Sequence, residues 1–277
     1  MSIWNAIILG LVQGFAQFLP ISSSGHLAIL NNLFDMTTAQ GSHVFFNVLL
    51  QLAAIISICV VYWQNLRQMF SEALGLVNLG PMAGVQQSRN PGARLLLMLA
   101  ISALPLLLII PIRARLQVLY SNNFVIGIFF ILTGTVLFVS DKIQPGKKTA
   151  GNISILDAVI IGLSQCVSAI PGISRPGVTI AAGVSTGLRP DFAVKFSFLM
   201  SLPAVLIANI VSLVDTFRSG VDWHSVPAYL IGMAVAVIAG IVAINIIKYI
   251  FKKGKFGSFA YYCWVMGVLA MILTMIF

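Results

Sequence analysis

The chain has 277 residues, of which 59% are hydrophobic and only 8% are charged, and its mean hydropathy is +1.00. Because a soluble globular domain carries about 25% charged residues, this composition excludes an ordinary soluble protein. It predicts an all-α polytopic membrane protein that forms a single integral domain over 1–277 and has about six transmembrane spans. The net charge of +9 would suggest nucleic acid in a soluble protein, but here the basic residues lie between apolar runs, so we predict no nucleic-acid partner and attribute the charge to membrane topology.

The first predicted element is a helical hairpin. Residues 3–19 and 23–33 are each too short or too polar to span a membrane, and the turn LPISSSG joins them. We therefore predict a re-entrant hairpin that enters and leaves on one side. Three full spans follow, at about 44–63, 95–112 and 123–140. Pro105 predicts a kink in the second of these spans. An amphipathic stretch after the first span, and a loop rich in Gly, Pro and Asn, are predicted at the membrane interface.

The second half of the chain repeats this plan. The segment 142–152 is linker-like, and it separates a half over 1–141 from a half over 153–277. The second half begins with a predicted hairpin over about 153–187. Spans are then predicted near 192–214, 226–251 and 257–277.

Two polar, turn-rich cassettes, one in each half, support this division. The first reads GLVQGFAQFLPISSSGH from Gly10 to His26, and the second reads GLSQCVSAIPGISRPGVT from Gly162 to Thr179. Aligned without a gap, they are identical at Gly10/Gly162, Leu11/Leu163, Gln13/Gln165, Ile21/Ile173, Ser22/Ser174 and Gly25/Gly177. Interrupted hydrophobic segments at corresponding places in two halves predict a binding site near the bilayer midplane.

The basic residues fall mostly on one face of the predicted topology. That face collects twelve of the sixteen: Arg67, Arg89, Arg94, Lys142, Lys147, Lys148, Arg189, Lys195, Lys248, Lys252, Lys253 and Lys255. The other face has Arg113, Arg115 and Arg218, and Arg175 lies inside the second hairpin. By the positive-inside rule the first face is cytoplasmic, which places both termini outside and makes the two hairpins enter from opposite sides, as an inverted repeat.

Arg175 is the strongest candidate functional residue. A guanidinium at membrane depth is costly, and its planar fork of donors suits a phosphate or carboxylate. Ser174 and Thr179 supply hydroxyls beside it, and Gly172 and Gly177 let backbone N–H groups approach an anion closely. The alternative is an arginine that snorkels to the interface.

The first cassette places three serines, Ser22, Ser23 and Ser24, before Gly25 and His26. A helix N-cap would explain any one serine, but three in a row followed by Gly-His exceed what a cap needs. His26 is suited to proton transfer or to nucleophilic attack on phosphorus. The alternative for His26 is a packing role.

These motifs resemble those of the bacterial undecaprenyl-diphosphate phosphatase family, also known from bacitracin resistance, over nearly the whole chain. The family's first motif is Glu/Gln-x-x-x-Glu followed by F-L-P-x-S-S-x-G-H, and this chain has Gln13, Gln17 and then FLPISSSGH. The second motif is P-G-x-S-R-S-x-x-T, and this chain has PGISRPGVT. The resemblance implies about ten helices in an inverted repeat. It also implies hydrolysis of undecaprenyl diphosphate to the monophosphate on the extracytoplasmic side of the plasma membrane, which recycles the cell-wall lipid carrier.

The resemblance also implies roles for individual residues. The catalytic set would be His26, Arg175, Ser22, Ser23, Ser174, Gln13 and Gln17. The set that binds the polyprenyl diphosphate would be Arg175, Ser174, Thr179, Gly172, Gly177, Ser24, Gly25 and Asn47. Gln13 and Gln17 stand where carboxylates would bind Mg²⁺ or Ca²⁺ or orient water. No organic cofactor is implied, and a homodimer is left open.

Three positions depart from the family pattern. Gln17 replaces the second acidic residue, Pro176 replaces the serine after the motif arginine, and Asn47 stands where the family usually has an acid. An amide cannot accept a proton or give a cation the charge of a carboxylate, and loss of a general base costs about 10²–10⁴ in rate. We therefore predict that the chain still binds the lipid diphosphate but hydrolyses it more slowly. The alternative is a catalytically silent membrane protein that binds or translocates a polyprenyl phosphate.

Overall fold

The computed structural model describes residues 1–34, 42–76, 90–112, 115–116, 118–219, 222–252 and 256–276. Within these ranges it contains eleven α-helices and no strand. The first half forms α1 (Ile3–Ala16), α2 (Ser23–Phe34), α3 (Ser42–Val61), α4 (Trp63–Leu76), α5 (Pro91–Ala103) and α6 (Asn123–Ser140). The second half forms α7 (Ile155–Val167), α8 (Arg175–Ser185), α9 (Pro190–Ser219), α10 (Val226–Lys252) and α11 (Ser258–Ile276). Short 3₁₀ segments cover Leu104–Ile112, Val118–Ser121 and Trp223–Ser225.

Several of these helices can cross a membrane, which supports the multi-pass, all-α class. Among the described residues, five are long and apolar enough, over Pro91–Ile109, Asn123–Ser140, Pro190–Ile210, Trp223–Lys252 and Ser258–Met275. The span predicted over 44–63 reaches this standard only when α3 and α4 are taken together, and they are bent by 78° at their junction. Residues 77–89, in the region of the predicted interfacial loop, lie outside the described residues, as do Arg113, Lys253 and Lys255.

The starts of the turn-flanking helices follow from local sequence. Ser154 and Asp157 form a capping box at the beginning of α7, which satisfies two N–H groups that a helix end leaves unpaired. Pro176 lies in the first turn of α8, after Ser174 at the N-cap. A proline is tolerated there because the N–H groups of the first turn have no partner within the helix. The departure from the family pattern at Pro176 is therefore compatible with the helix.

The helix type changes where a kink is predicted. The α-helical part of α5 ends at Ala103, and the chain continues as a 3₁₀ helix from Leu104. Pro105 has no N–H to donate to the carbonyl of Ile101, and its ring crowds the preceding turn. The helix therefore tightens at this point instead of continuing with α-helical hydrogen bonds.

Glycines let the short apolar helices α1 and α7 approach their neighbours. Helix α1 packs along α10, and α7 packs against α5 and the 3₁₀ segment that follows it. A β-carbon at Gly10 would collide with the carbonyl oxygen of Gly232, and one at Gly162 would collide with that of Ser102. Gly10 and Gly162 are matched positions of the two cassettes, so the same residue makes the same kind of close contact in both halves.

Glu72, the only glutamate of the chain, fixes the amphipathic helix α4 to α5. Its Oε2 accepts hydrogen bonds from the backbone N–H groups of Gly92 (2.7 Å) and Ala93 (3.2 Å), and its Oε1 accepts one from Gln68 (2.7 Å). These two N–H groups belong to the first turn of α5, where an anion is favourable. Glu72 is thus used to hold two helices together, away from the two cassettes.

Helices α6 and α11 pack side by side and form one wall beside the cassettes. Gly127 and Gly267 make this approach close, since a β-carbon at either would lie less than 3 Å from the carbonyl oxygen of the other, at 2.6 Å and 2.7 Å. The pair brings Phe130 of α6 and Tyr262 of α11 to the same imidazole ring, that of His26.

Candidate functional site

The turns of the two cassettes touch each other. The hydroxyl of Ser22 donates a hydrogen bond to the carbonyl oxygen of Ile173 (3.3 Å). A β-carbon at Gly25 would lie 3.0 Å from Cα of Gly172. Residues that are far apart in sequence are thereby brought to one place, where α2 and α8 begin.

Matched serines cap these two helices. The N–H of Gly25 donates to Oγ of Ser22 (3.3 Å), and the N–H of Gly177 donates to Oγ of Ser174 (3.2 Å). Both serines are buried. Ser22 has a φ of +62°, a left-handed conformation that costs a residue with a β-carbon about 1–2 kcal/mol. The capping role considered for one serine of the first cassette therefore applies to Ser22, and Ser174 makes the same hydrogen bond in the second cassette.

Ser23 belongs to a different hydrogen-bond network, together with the two glutamines. Oε1 of Gln17 accepts from Nε2 of Gln13 (3.1 Å) and from the hydroxyl of Ser23 (3.2 Å). Gln13 is only 2% exposed, and its Oε1 has no hydrogen-bond partner among the described residues. An amide oxygen at position 17 orients the Ser23 hydroxyl but cannot take its proton.

The donor set at the two glutamines does not fit a resident divalent cation. Gln13 and Gln17 offer neutral amide oxygens, and Oε1 of Gln17 already accepts two hydrogen bonds. No group of three or more His, Cys, Asp or Glu side chains suited to a metal occurs in the described part of the chain. Mg²⁺ and Ca²⁺ are usually held by carboxylate oxygens, so we assign no catalytic step to a bound metal.

Arg175 is the first residue of α8, directly after the point where the two turns meet. Its Nε is buried and has no hydrogen-bond partner within the described ranges. A buried donor left unpaired is unfavourable by about 1–3 kcal/mol. The N-terminal end of α8 also favours an anion. Both features suit a phosphate group that pairs with the guanidinium.

The hydroxyl of Thr179 is used inside the protein. It donates to the carbonyl oxygen of Arg175 (2.8 Å), and Oγ of Ser197 lies 2.5 Å from it. Thr179 is 1% exposed. This residue therefore supports the backbone that carries Arg175.

Thr133 of α6 holds the second turn in place. Its Oγ1 donates to the carbonyl oxygen of Gly172 (3.0 Å) and accepts from the N–H of Ser174 (3.2 Å). Gly172 has a φ of +92°, and a β-carbon there would lie 2.5 Å from the carbonyl oxygen of Ile126. The second turn thus needs glycine for both its conformation and its close approach to α6.

His26 lies at the edge of the same site, in the first turns of α2. Its Nδ1 is 2.8 Å from the carbonyl oxygen of Ser22, and its Nε2 is 2.7 Å from the phenolic oxygen of Tyr262. Ser24 is half-buried, with its Oγ 3.4 Å from that of Ser22. Asn47 is exposed on α3, and no hydrogen bond between described residues ties it to the two turns.

Four polar residues that contact or resemble the site were not among the candidates predicted from the sequence. These are Thr133, Gln165, Ser197 and Tyr262. Gln165 could have been included, because it matches Gln13 in the alignment of the cassettes, and it is 1% exposed with both side-chain amide atoms unpaired in the described structure. The other three lie in helices outside the two cassettes, where only their contacts distinguish them.

The fold and the site define a class: a polytopic helical membrane protein in which two turns that interrupt apolar sequence meet beside an arginine suited to a phosphate. The model of the bacitracin resistance protein BacA family matches residues 6–269. The chain therefore belongs to this family.

Individual relatives share nearly the whole length of the chain. An undecaprenyl-diphosphatase from Desulforapulum autotrophicum is 34% identical over 98% of this chain and 98% of its own. One from Halothermothrix orenii is 31% identical over 100% of both chains. One from Methanococcus maripaludis is 34% identical over 94% of this chain and 95% of its own. The family resemblance noted in the sequence is thereby confirmed.

The geometry of Gly172 leads to a prediction about the second turn. We expect Gly172→Ala to lower the free energy of unfolding by about 1–3 kcal/mol, because it adds left-handed strain and a clash with the Ile126 carbonyl. The measurement is the thermal unfolding midpoint of the purified protein in detergent. Gly151→Ala is the control, since a β-carbon at Gly151 meets no atom within 4 Å. Equal midpoints for the two variants would contradict the prediction.

Proposed function

We propose that this chain hydrolyses undecaprenyl diphosphate to undecaprenyl phosphate and inorganic phosphate, the activity for which its relatives are named. The observation that carries the proposal is the position of Arg175. It begins α8 where the two turns meet, and its buried Nε lacks a hydrogen-bond partner in the described structure. A terminal phosphate would supply that partner and would also meet the N-terminal end of the helix.

In this proposal, Arg175 holds the phosphate that is transferred and stabilises the charge that develops on its oxygens. Ser22 and Ser174 keep the turns in shape as helix caps. Ser23 instead donates its hydroxyl hydrogen to a side chain, Oε1 of Gln17. The bond from the bridging oxygen to the terminal phosphorus breaks, water supplies the new oxygen, and His26 transfers the proton. The prenyl chain lies along the apolar helices, open to lipid.

The first test is phosphate release from undecaprenyl diphosphate by the purified protein in detergent. We expect release to be lost in Arg175→Ala, by at least 10²-fold, because the removed guanidinium stabilises the transferred phosphate. Arg94→Ala is the matched control, since Arg94 donates to the carbonyl of Ile153 instead (2.7 Å). Lipid that binds in an Arg175-dependent way without any release would reject hydrolysis and favour the silent, binding or translocating alternative.

The neutral network around Gln17 generates a second prediction. We expect Gln17→Glu to raise the rate of release by about 10²–10⁴, because a carboxylate can orient and help to deprotonate the attacking water, whereas an amide cannot accept a proton. The double variant Gln13→Glu with Gln17→Glu should also gain stimulation by Mg²⁺, which the two amides do not favour. Kinetics with Mg²⁺ and with a chelator measure both effects.

Gln144→Glu serves as the matched control for these variants, since Gln144 is exposed in the linker between the two halves, outside both cassettes. We expect this change alone to leave the rate within about twofold, because a solvated carboxylate contributes little at a distance. An unchanged rate in Gln17→Glu, even combined with Asn47→Asp, would contradict our account of the missing acid.

We further propose that α1–α2 and α7–α8 are re-entrant hairpins of an inverted repeat. Three features support this: α1 and α7 are apolar but short, Gly10 and Gly162 make matching close contacts, and Ser22 and Ser174 cap in the same way. The distribution of basic residues supports a site and termini on the extracytoplasmic side. The homodimer that the family resemblance leaves open is not part of this proposal.

Cysteine labelling tests this orientation. In a chain whose three native cysteines are replaced by alanine, we expect His224→Cys to react with a membrane-impermeant maleimide in intact cells. Lys147→Cys should react only after the membrane is opened. Both positions are exposed, so accessibility to the reagent depends on the side of the membrane. The reverse pattern would refute the proposed orientation.

A further inference from the structure

Both nitrogens of the His26 ring are engaged by the protein. Nδ1 lies 2.8 Å from the carbonyl oxygen of Ser22, and Nε2 lies 2.7 Å from Oη of Tyr262. The imidazole and phenol rings are stacked, with centroids 5.7 Å apart and planes 16° apart. Phe130 meets the imidazole edge-on at 5.0 Å. The ring is therefore fixed by α2, α6 and α11 together.

These contacts decide which nitrogen of the neutral ring carries hydrogen. A carbonyl oxygen can only accept, so Nδ1 must be the N–H that donates to Ser22. A neutral imidazole has one N–H, which leaves Nε2 as an acceptor. The phenolic O–H of Tyr262 is then the donor to Nε2. The Ser22 carbonyl thus selects the Nδ1–H tautomer, and the hydrogen bond from Tyr262 to Nε2 stabilises it further.

We propose that Tyr262 is a positioning residue for His26, an inference that rests on the hydrolysis proposed above. It holds the ring in the Nδ1–H tautomer and keeps Nε2 as the nitrogen that receives a proton. The Tyr262 O–H occupies the one lone pair of Nε2, so it turns away before Nε2 takes a proton from the attacking water, and the phenolic oxygen then accepts the new Nε2–H. His26 later returns that proton to the phosphate product, so no other reactant is required.

The surroundings of Tyr262 distinguish this role from simple packing. Its side chain is 42% exposed, so the core does not force the phenol against His26. The neighbouring Tyr261 is 59% exposed, and its ring contacts Phe138 and Trp264 instead. Tyrosines at a membrane interface often serve only as anchors. Tyr261 fits that description, whereas Tyr262 directs its hydroxyl to the histidine.

The experiment compares Tyr262→Phe with Tyr261→Phe. The first removes only the hydroxyl and keeps the stacked ring, and the second removes a hydroxyl from the adjacent position. The protein is labelled with ¹⁵N in its histidine rings, and His26 is assigned by its loss in His26→Gln. In Tyr262→Phe we expect the Nε2 resonance of His26 to shift and the fraction of the Nδ1–H tautomer to fall, because the donor to Nε2 is gone.

Kinetics provide the second readout. We expect kcat for phosphate release to fall roughly fivefold or more in Tyr262→Phe, the effect of about one hydrogen bond, with KM unchanged. Tyr261→Phe should match the parent in both readouts. An unchanged His26 spectrum in Tyr262→Phe, or the same change in Tyr261→Phe, overturns the positioning role. Absence of phosphate release from the parent rejects the hydrolysis proposal separately, while the spectra still decide the role of Tyr262.

Discussion

The structure depends on one constraint: where two apolar helices are interrupted by buried turns, the freed backbone groups must find partners inside the protein. Each turn meets this requirement with side-chain hydroxyls. Ser22 and Ser174 accept from the first turns of α2 and α8, and Thr133 serves both the Gly172 carbonyl and the Ser174 N–H. The contact from Ser22 to Ile173 then joins the two turns. The site lies where these two turns, each held by such hydroxyl groups, meet.

This requirement divides the polar residues into two groups. Ser22, Ser174 and Thr179 are buried and bonded to backbone, so they maintain the shape of the turns. Ser23 and Arg175 are left with side-chain atoms that are not committed to the backbone of the turns. A hydroxyl in a serine-rich motif can therefore be structural or chemical. Its hydrogen-bond partner distinguishes the two.

The two glutamines form a hydrogen-bond network from neutral groups alone. Gln17 accepts from Gln13 and Ser23 in positions that a carboxylate of nearly the same size would also occupy. The network is therefore complete without a charge. An amide, unlike a carboxylate, cannot take a proton and attracts a cation only weakly. Arg175, which we propose to bind the phosphate, makes no hydrogen bond to this network in the described structure.

The sequence by itself determined the all-α membrane class, the positions of the helices and the family, because apolar runs, turn residues and motif spacing are local properties. It also singled out Arg175 and His26. Only the tertiary structure decided the partners: that Ser174 caps a helix, that Thr133 supports the second turn, and that Tyr262 reaches His26 across more than two hundred residues. Helix periodicity gives no sign of these contacts, since Thr133 and Tyr262 lie in apolar helices whose neighbours are set by packing through glycines such as Gly127 and Gly267.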